Sequence, residues 1–160
     1  MTQKTVTNFI YCGDQWLFLK RGKNKKVDAN KLNGAGGRLE EGETFLDACI
    51  RETKEETGYV ITNKDITLSG VVNLSGSFDD NWVICFFRTE VKSMVIPTPP
   101  AIEEGNLIWL QTNKIKMHKF DFVDDINYCF ENIVNKKEPF FMDAKFDKNG
   151  KIIKYKLDNL

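Results

Sequence analysis

Apolar residues recur along this chain in two rhythms, one of period two and one near 3.6, and the switches between them lay out its elements. Thr5 to Tyr11 and Gln15 to Lys20 predict two strands joined by a tight turn at Cys12-Gly13-Asp14. Strand patterns return at Ile66 to Leu74, at Trp82 to Val91 and at Asn106 to Leu110, with a turn across Ser75 to Asp80 and a break at Pro97-Thr98-Pro99-Pro100. Phe140 to Phe146 and Ile152 to Leu157 predict a closing hairpin around Asp147-Lys148-Asn149-Gly150. Helical spacing governs two stretches, the first from Thr44 to Gly58 and the second from Ile126 to Val134. In the first, Leu46, Cys49, Ile50, Thr53 and Thr57 share one face. Thr44 and Asp47 suit a capping box there, with Asp as a shorter substitute for Glu, and Gly58 suits the C-cap. Strands before, between and after two helices indicate a mixed α/β (α+β) sandwich.

The 160 residues suit one domain, and at this length folding removes roughly two-thirds of the chain's surface from water. Lysine plus arginine equals aspartate plus glutamate, 23 each, so no global positive field gathers long nucleic acids. An anionic substrate therefore has to be held by local cations or by a bound metal. The basic stretch Arg21 to Lys26 reads first as a solvated loop and functionally as a phosphate-side rim. Cys12, Cys49, Cys85 and Cys129 are far apart, and three of them sit in apolar runs, as small buried hydrophobes in a reducing compartment would. His118 is the only histidine, which excludes a histidine-rich metal site. The start is not a signal peptide and no apolar run spans a membrane, so the expected location is the cytoplasm.

The chemistry is concentrated between Gly37 and Val60. On a helix, Glu52, Glu55 and Glu56 stand at i, i+3 and i+4 and share one face, beside the apolar stripe rather than opposite it. Three like charges repel, and a hard divalent cation removes the conflict, with Mg²⁺ the natural choice and Mn²⁺ the alternative. Gly36 and Gly37 let the backbone approach a ligand and offer it a carbonyl. Glu43, ahead of the helix, and Arg51, within it, are placed to pair and fix the loop on the helix. A bare E-x-x-E-E is usually a solvated face, but here the glycines, Glu43, Arg51-Glu52, Glu55-Glu56 and Gly58 all stand at set separations.

This segment resembles the Nudix box, G-x5-E-x7-R-E-U-x-E-E-x-G-U, read from Gly37 through Gly58. Thr53 and Tyr59 depart from it, standing where the pattern has aliphatic residues. The resemblance implies an α/β/α sandwich with a mixed sheet flanked by helices. It also implies divalent metal bound by Glu52, Glu55 and Glu56, joined by the Gly37 carbonyl, and water deprotonated by either Glu52 or Glu56.

Beyond the box the chain resembles the MutT-like enzymes that hydrolyse oxidised purine nucleoside triphosphates. Asn33-Gly34-Ala35-Gly36-Gly37 is similar to that group's N-G-x-G-G, whose Asn binds the purine. Phe122-Val123-Asp124-Asp125 resembles W-P-D-D, whose aromatic stacks on the base and whose aspartates read its edge. Glu104, five residues before Trp109, resembles a distal glutamate near the metals, and Trp82 lies where the group sets a residue against the base. From the residues alone, Asp124-Asp125 is equally the N-terminal cap of the helix at Ile126, and Trp82 equally a core side chain. The implied activity is Mg²⁺-dependent cleavage of a nucleoside triphosphate, 8-oxo-dGTP favoured, to monophosphate and pyrophosphate. The alternatives are another nucleoside diphosphate-linked substrate (a sugar nucleotide, a dinucleoside polyphosphate or capped RNA) and a non-catalytic nucleotide-binding module.

Overall fold

The computed structural model describes residues 1–76, 81–97, 101–117, 120–135 and 138–160, with part of the 75–80 turn, most of the 97–100 break and His118 outside them. Its strands are β1 (Thr2–Cys12), β2 (Gln15–Arg21), β3 (Leu32–Asn33), β4 (Ala35–Arg38), β5 (Ile66–Gly76), β6 (Asn81–Glu90), β7 (Ala101–Ile102), β8 (Gly105–Gln111), β9 (Phe140–Phe146) and β10 (Ile152–Asn159). The helices are α1 (Phe45–Thr57), α2 (Thr112–Met117) and α3 (Asp124–Asn135). The strands form one mixed sheet in the order β10-β9-β5-β6-β1-β2-β8-β7, with β4 beside the first half of β1 and β3 beside β2. The β1–β6 and β5–β9 pairs are parallel and the others antiparallel.

Both faces of the sheet are covered, which is why its central strands are apolar at successive positions rather than at alternate ones. In β2, Trp16 and Phe18 enter one core with Phe9, Phe86, Ile126, Phe130 and Phe140, while Leu17 and Leu19 enter the other with Val6, Ile10, Cys49 and Phe87. Helix α3 closes the first core and α1 the second, giving the α/β/α layering. The hairpin appears as expected, β9 alternating buried and exposed residues strictly and Gly150 taking a positive φ of 75° in the turn.

Helix α1 begins and ends on local signals. Thr44 accepts from the Asp47 amide while Asp47 accepts from the Thr44 amide, completing the capping box. At the other end Gly58 adopts φ 77° and donates to the Lys54 carbonyl, a conformation costly for a residue with a Cβ. Helix α3 starts two residues before the expected Ile126, with Asp124 and Asp125 inside its first turn. The short α2 and β7 have no clear periodic signal, being too brief to show one. Cys49, Cys85 and Cys129 are buried, Cys12 is half-buried, and all four are free thiols.

Candidate active site

The loop from Asn33 to Arg38 lies against β1, and its glycines are fixed by close approach. A Cβ on Gly36 would strike the Val6 carbonyl, and one on Gly37 would strike the Glu52 carboxylate. Glu52 thus presses on the backbone of Gly37, while the Gly36 amide donates to Glu56 Oε2 at 2.9 Å.

Arg51 is the hub of this face of α1. Its Nε and Nη2 donate to the two oxygens of Glu43 at 2.7 and 2.9 Å, a bidentate pair, and Nη2 also reaches the Arg38 carbonyl at 3.0 Å. Nη1 donates to Glu52 at 2.8 Å and to Glu55 at 3.2 Å. The Arg51 guanidinium, with the Glu40 amide, pulls the Glu43 carboxyl down to about 2. The same carboxylate holds the Arg51 guanidinium more firmly protonated than usual.

Glu52 and Glu56 sit in the opposite regime. Burial raises Glu52 above the ordinary carboxylate range, although Arg51 opposes it. Burial pushes Glu56, only 7% exposed, up to about 8, and the charges of Glu52 and Glu104 add to the rise. The Gly36 amide and Arg21 offset part of that shift.

These observations decide whether a divalent cation suits the place. Glu43, Glu52, Glu55, Glu56 and Glu104 crowd one region, and Arg51 and Arg21 are the cations named beside them. The donors are hard oxygens, and an excess of negative charge in a half-buried setting is what such a cation relieves. Among the described residues, no three of these groups already close on a single point: Arg51 holds Glu52 and Glu55, and Gly36 holds Glu56. The residues fit the ion chemically, with Glu52, Glu55 and Glu56 as the side chains to hold it.

The other end of the glycine loop meets the segment before α3. Leu32 pairs in parallel with Phe122, its amide donating to the Asp121 carbonyl at 2.8 Å and its carbonyl accepting from the Val123 amide at 3.0 Å. Asn33 therefore follows directly on a bridge to Phe122, ninety positions beyond Leu32 in sequence. Its Oδ1 accepts from the Gly34 amide at 2.8 Å. Asp125 is buried, accepts from the Ile126 amide at 2.9 Å, and is pushed up to about 7 by burial and by the charges of Asp28 and Asp124. Asp124 faces elsewhere, accepting from the Ile152 amide at 2.7 Å and so tying α3 to the start of β10.

Phe122 is a core residue, its ring stacked on Phe130 at 5.7 Å and edge-on to Phe18 at 5.2 Å. Trp82 packs at the margin of that core and carries the Arg38 guanidinium over its ring at 5.0 Å. Glu104 contributes charge near Glu56, and its carbonyl accepts from the Gly22 amide at 2.9 Å.

The structure gives a place to Arg21, which the sequence marked only as part of a basic stretch, and adds Asn8, which the sequence did not single out. Arg21, at the end of β2, brings positive charge to Glu56 and lines a hollow of about 610 Å³ with Lys23, Lys25 and Asn106. Its signal was its place as the first residue of the basic stretch. Asn8, on β1, donates to Thr53 Oγ1 at 2.9 Å and accepts from Thr89 Oγ1 at 3.1 Å, all three fully buried under α1. This pairing is the physical reason Thr53 is tolerated at an aliphatic position. Tyr59, the other departure, buries its ring and donates its hydroxyl to the Ser93 carbonyl at 2.7 Å.

Comparison with known proteins bears on this geometry. The chain is 30% identical over 135 residues to the Mus musculus oxidized purine nucleoside triphosphate hydrolase, covering 84% of this chain and 82% of that protein. The Danio rerio protein of the same name is 28% identical, with 86% of this chain and 84% of that one covered. Among solved structures, the MutT protein of Bacillus halodurans superposes with a TM-score of 0.83 at 19% identity, over 98% of this chain and 97% of that one, a likeness of fold. The model of the NUDIX domain matches residues 1–128, and with the relatives and the glutamate-bearing helix this places the chain in the Nudix family.

Proposed function

We propose that this chain hydrolyses an oxidised purine nucleoside triphosphate, with 8-oxo-dGTP the favoured substrate, to the monophosphate and pyrophosphate in the presence of Mg²⁺. The observation that carries the reading is the loop from Asn33 to Gly37. One end adjoins the Leu32–Phe122 bridge, three residues ahead of Asp125, and the other rests on Glu56 and Glu52. Asn33 and Gly36 are three residue steps apart, roughly 10 Å of extended chain, on the scale of a nucleoside laid along it. A base at the Asn33 end would leave its phosphates at the carboxylate end. The names of the mouse and zebrafish relatives point to the same class of substrate.

Each group has a role in this scheme. Asn33 and Asp125 read the base edge. Asp125, its carboxyl pushed up to about 7 by burial, is able in its protonated form to donate an O–H hydrogen bond to a purine acceptor. Asp124 positions α3, and the buried Phe122 and half-buried Trp82 wall the base end. Glu52, Glu55 and Glu56 would hold the cation, which would supply charge to screen the phosphate oxygens and to make water more acidic. Glu43 and Arg51 fix the loop on the helix, Glu104 adds negative charge, and Arg21 with the neighbouring lysines forms the phosphate-side rim.

The test is pyrophosphate release from 8-oxo-dGTP, dGTP, other triphosphates and sugar nucleotides, with and without Mg²⁺. A dominant kcat/KM for 8-oxo-dGTP, lost in N33A and D125N, is expected. Turnover of a sugar nucleotide with triphosphates ignored would refute the substrate and leave the family chemistry intact.

A further inference from the structure

We propose that the part of the sheet left bare beside α1 is a second anion site, separate from the glutamate helix, which binds a small molecule carrying two or more linked phosphate groups. Helix α1 covers β1, β2, β6 and β8, and neither β9 nor β10 gives a residue to the core beneath it. On that same side the outer strands hold a shallow hollow of about 500 Å³. Its floor is made of residue triples from β5, β6, β9 and β10: 73–75, 81–83, 143–145 and 154–156. The middle residues, Leu74, Trp82, Ala144 and Tyr155, are register partners across the strands and turn toward the α3 side. The outer residues of each triple therefore face the hollow, among them Asn73, Ser75, Asn81, Lys145, Lys154 and Lys156.

The charges there are not balanced by the fold. Lys145 and Lys154 are direct cross-strand partners, an arrangement that destabilises a sheet by like-charge repulsion. Asp143, opposite Lys156, already accepts from Asn73 at 3.0 Å, and Asp158 pairs with Lys156 at 3.4 Å. Among the described residues neither Lys145 nor Lys154 has a carboxylate within ion-pair distance. Clustered ammonium groups with hydroxyl and amide side chains suit the bridged oxygens of a diphosphate, which brings two charges to adjacent lysines at once. A single phosphate would meet one lysine and gain little from an exposed contact.

The test uses the full chain in EDTA, followed by ¹H–¹⁵N spectra during titration with inorganic pyrophosphate, orthophosphate, ADP and sulfate. Saturable shifts at Ser75, Lys145 and Lys154 with pyrophosphate are expected, weakening with added salt and absent with sulfate. ADP as effective as pyrophosphate would place the recognition in the diphosphate, and tighter ADP binding would add a nucleoside contact. K145A/K154A should weaken pyrophosphate binding by about tenfold or more while melting no lower than the parent and hydrolysing triphosphate at the parental rate. E56Q should keep the shifts, so this site stands or falls independently of the activity proposed above. Shifts absent at millimolar pyrophosphate, unchanged in K145A/K154A, or matched by sulfate would overturn the proposal.

Discussion

The polar trio under α1 offers the sharpest check on how this chain holds its glutamate helix in place. Thr53→Val keeps side-chain shape and removes the hydroxyl that accepts from Asn8 Nδ2, a group only 1% exposed. The stranded amide loses its partner without access to water, a penalty of about 1–3 kcal/mol. At this chain length each kcal/mol lowers Tm by roughly 2–4 °C. Asn8→Leu added to Thr53→Val removes the amide but strands the Thr89 hydroxyl, which donates to Asn8. The triple variant N8L/T53V/T89V leaves no orphan among the three. It should recover to within about 1 kcal/mol of the parent, since apolar groups of similar shape replace the whole network. Urea denaturation of the single, double and triple variants, with m-values compared, measures each step. Equal stability for T53V and the parent, or a triple variant worse than the single, would refute the assignment of Thr53 to a satisfied polar network.

The other predictions concern the candidate site. Glu56→Gln keeps an acceptor for the Gly36 amide and removes the ionisable carboxyl that would meet the cation, so turnover should fall on the order of 10²–10³ or more with the circular dichroism spectrum unchanged; full activity would sink the assignment of Glu56. Gly37→Ala should drive the Glu52 carboxylate from its place, costing on the order of a hundredfold in kcat/KM with the fold retained, since the atom struck is the end of a flexible side chain. Asp125 holds its proton up to about 7, above the usual carboxylate value of roughly 3.9, so the native state binds a proton that the unfolded chain releases. Its contribution to stability is present at low pH and declines as pH rises from about 4 through about 7. Urea midpoints across that window should fall less steeply in D125N than in the parent, and parallel curves would contradict the raised value.

The elements of α1 were legible because their determinants lie within a few residues of one another. The i, i+3, i+4 spacing of Glu52, Glu55 and Glu56, the Thr44–Asp47 capping box and the Gly58 cap depend on helix geometry alone, and the structure reproduces each. The alternation of β9 and the turn at Asp147 to Gly150 are local in the same sense. Tertiary structure decided the rest, because burial and pairing across long sequence distances are not encoded in any one window. It buried Glu56 and left Glu55 exposed, although both lie on one helix face, by laying the glycine loop over the first. It joined Leu32 to Phe122 through a parallel bridge and turned Asp124 to the β10 amide while Asp125 stayed on the Ile126 amide, separating two adjacent aspartates that the sequence could only treat alike. It paired Asn8 with Thr53, and it brought Lys145 opposite Lys154, since strand register fixes which distant side chains become neighbours.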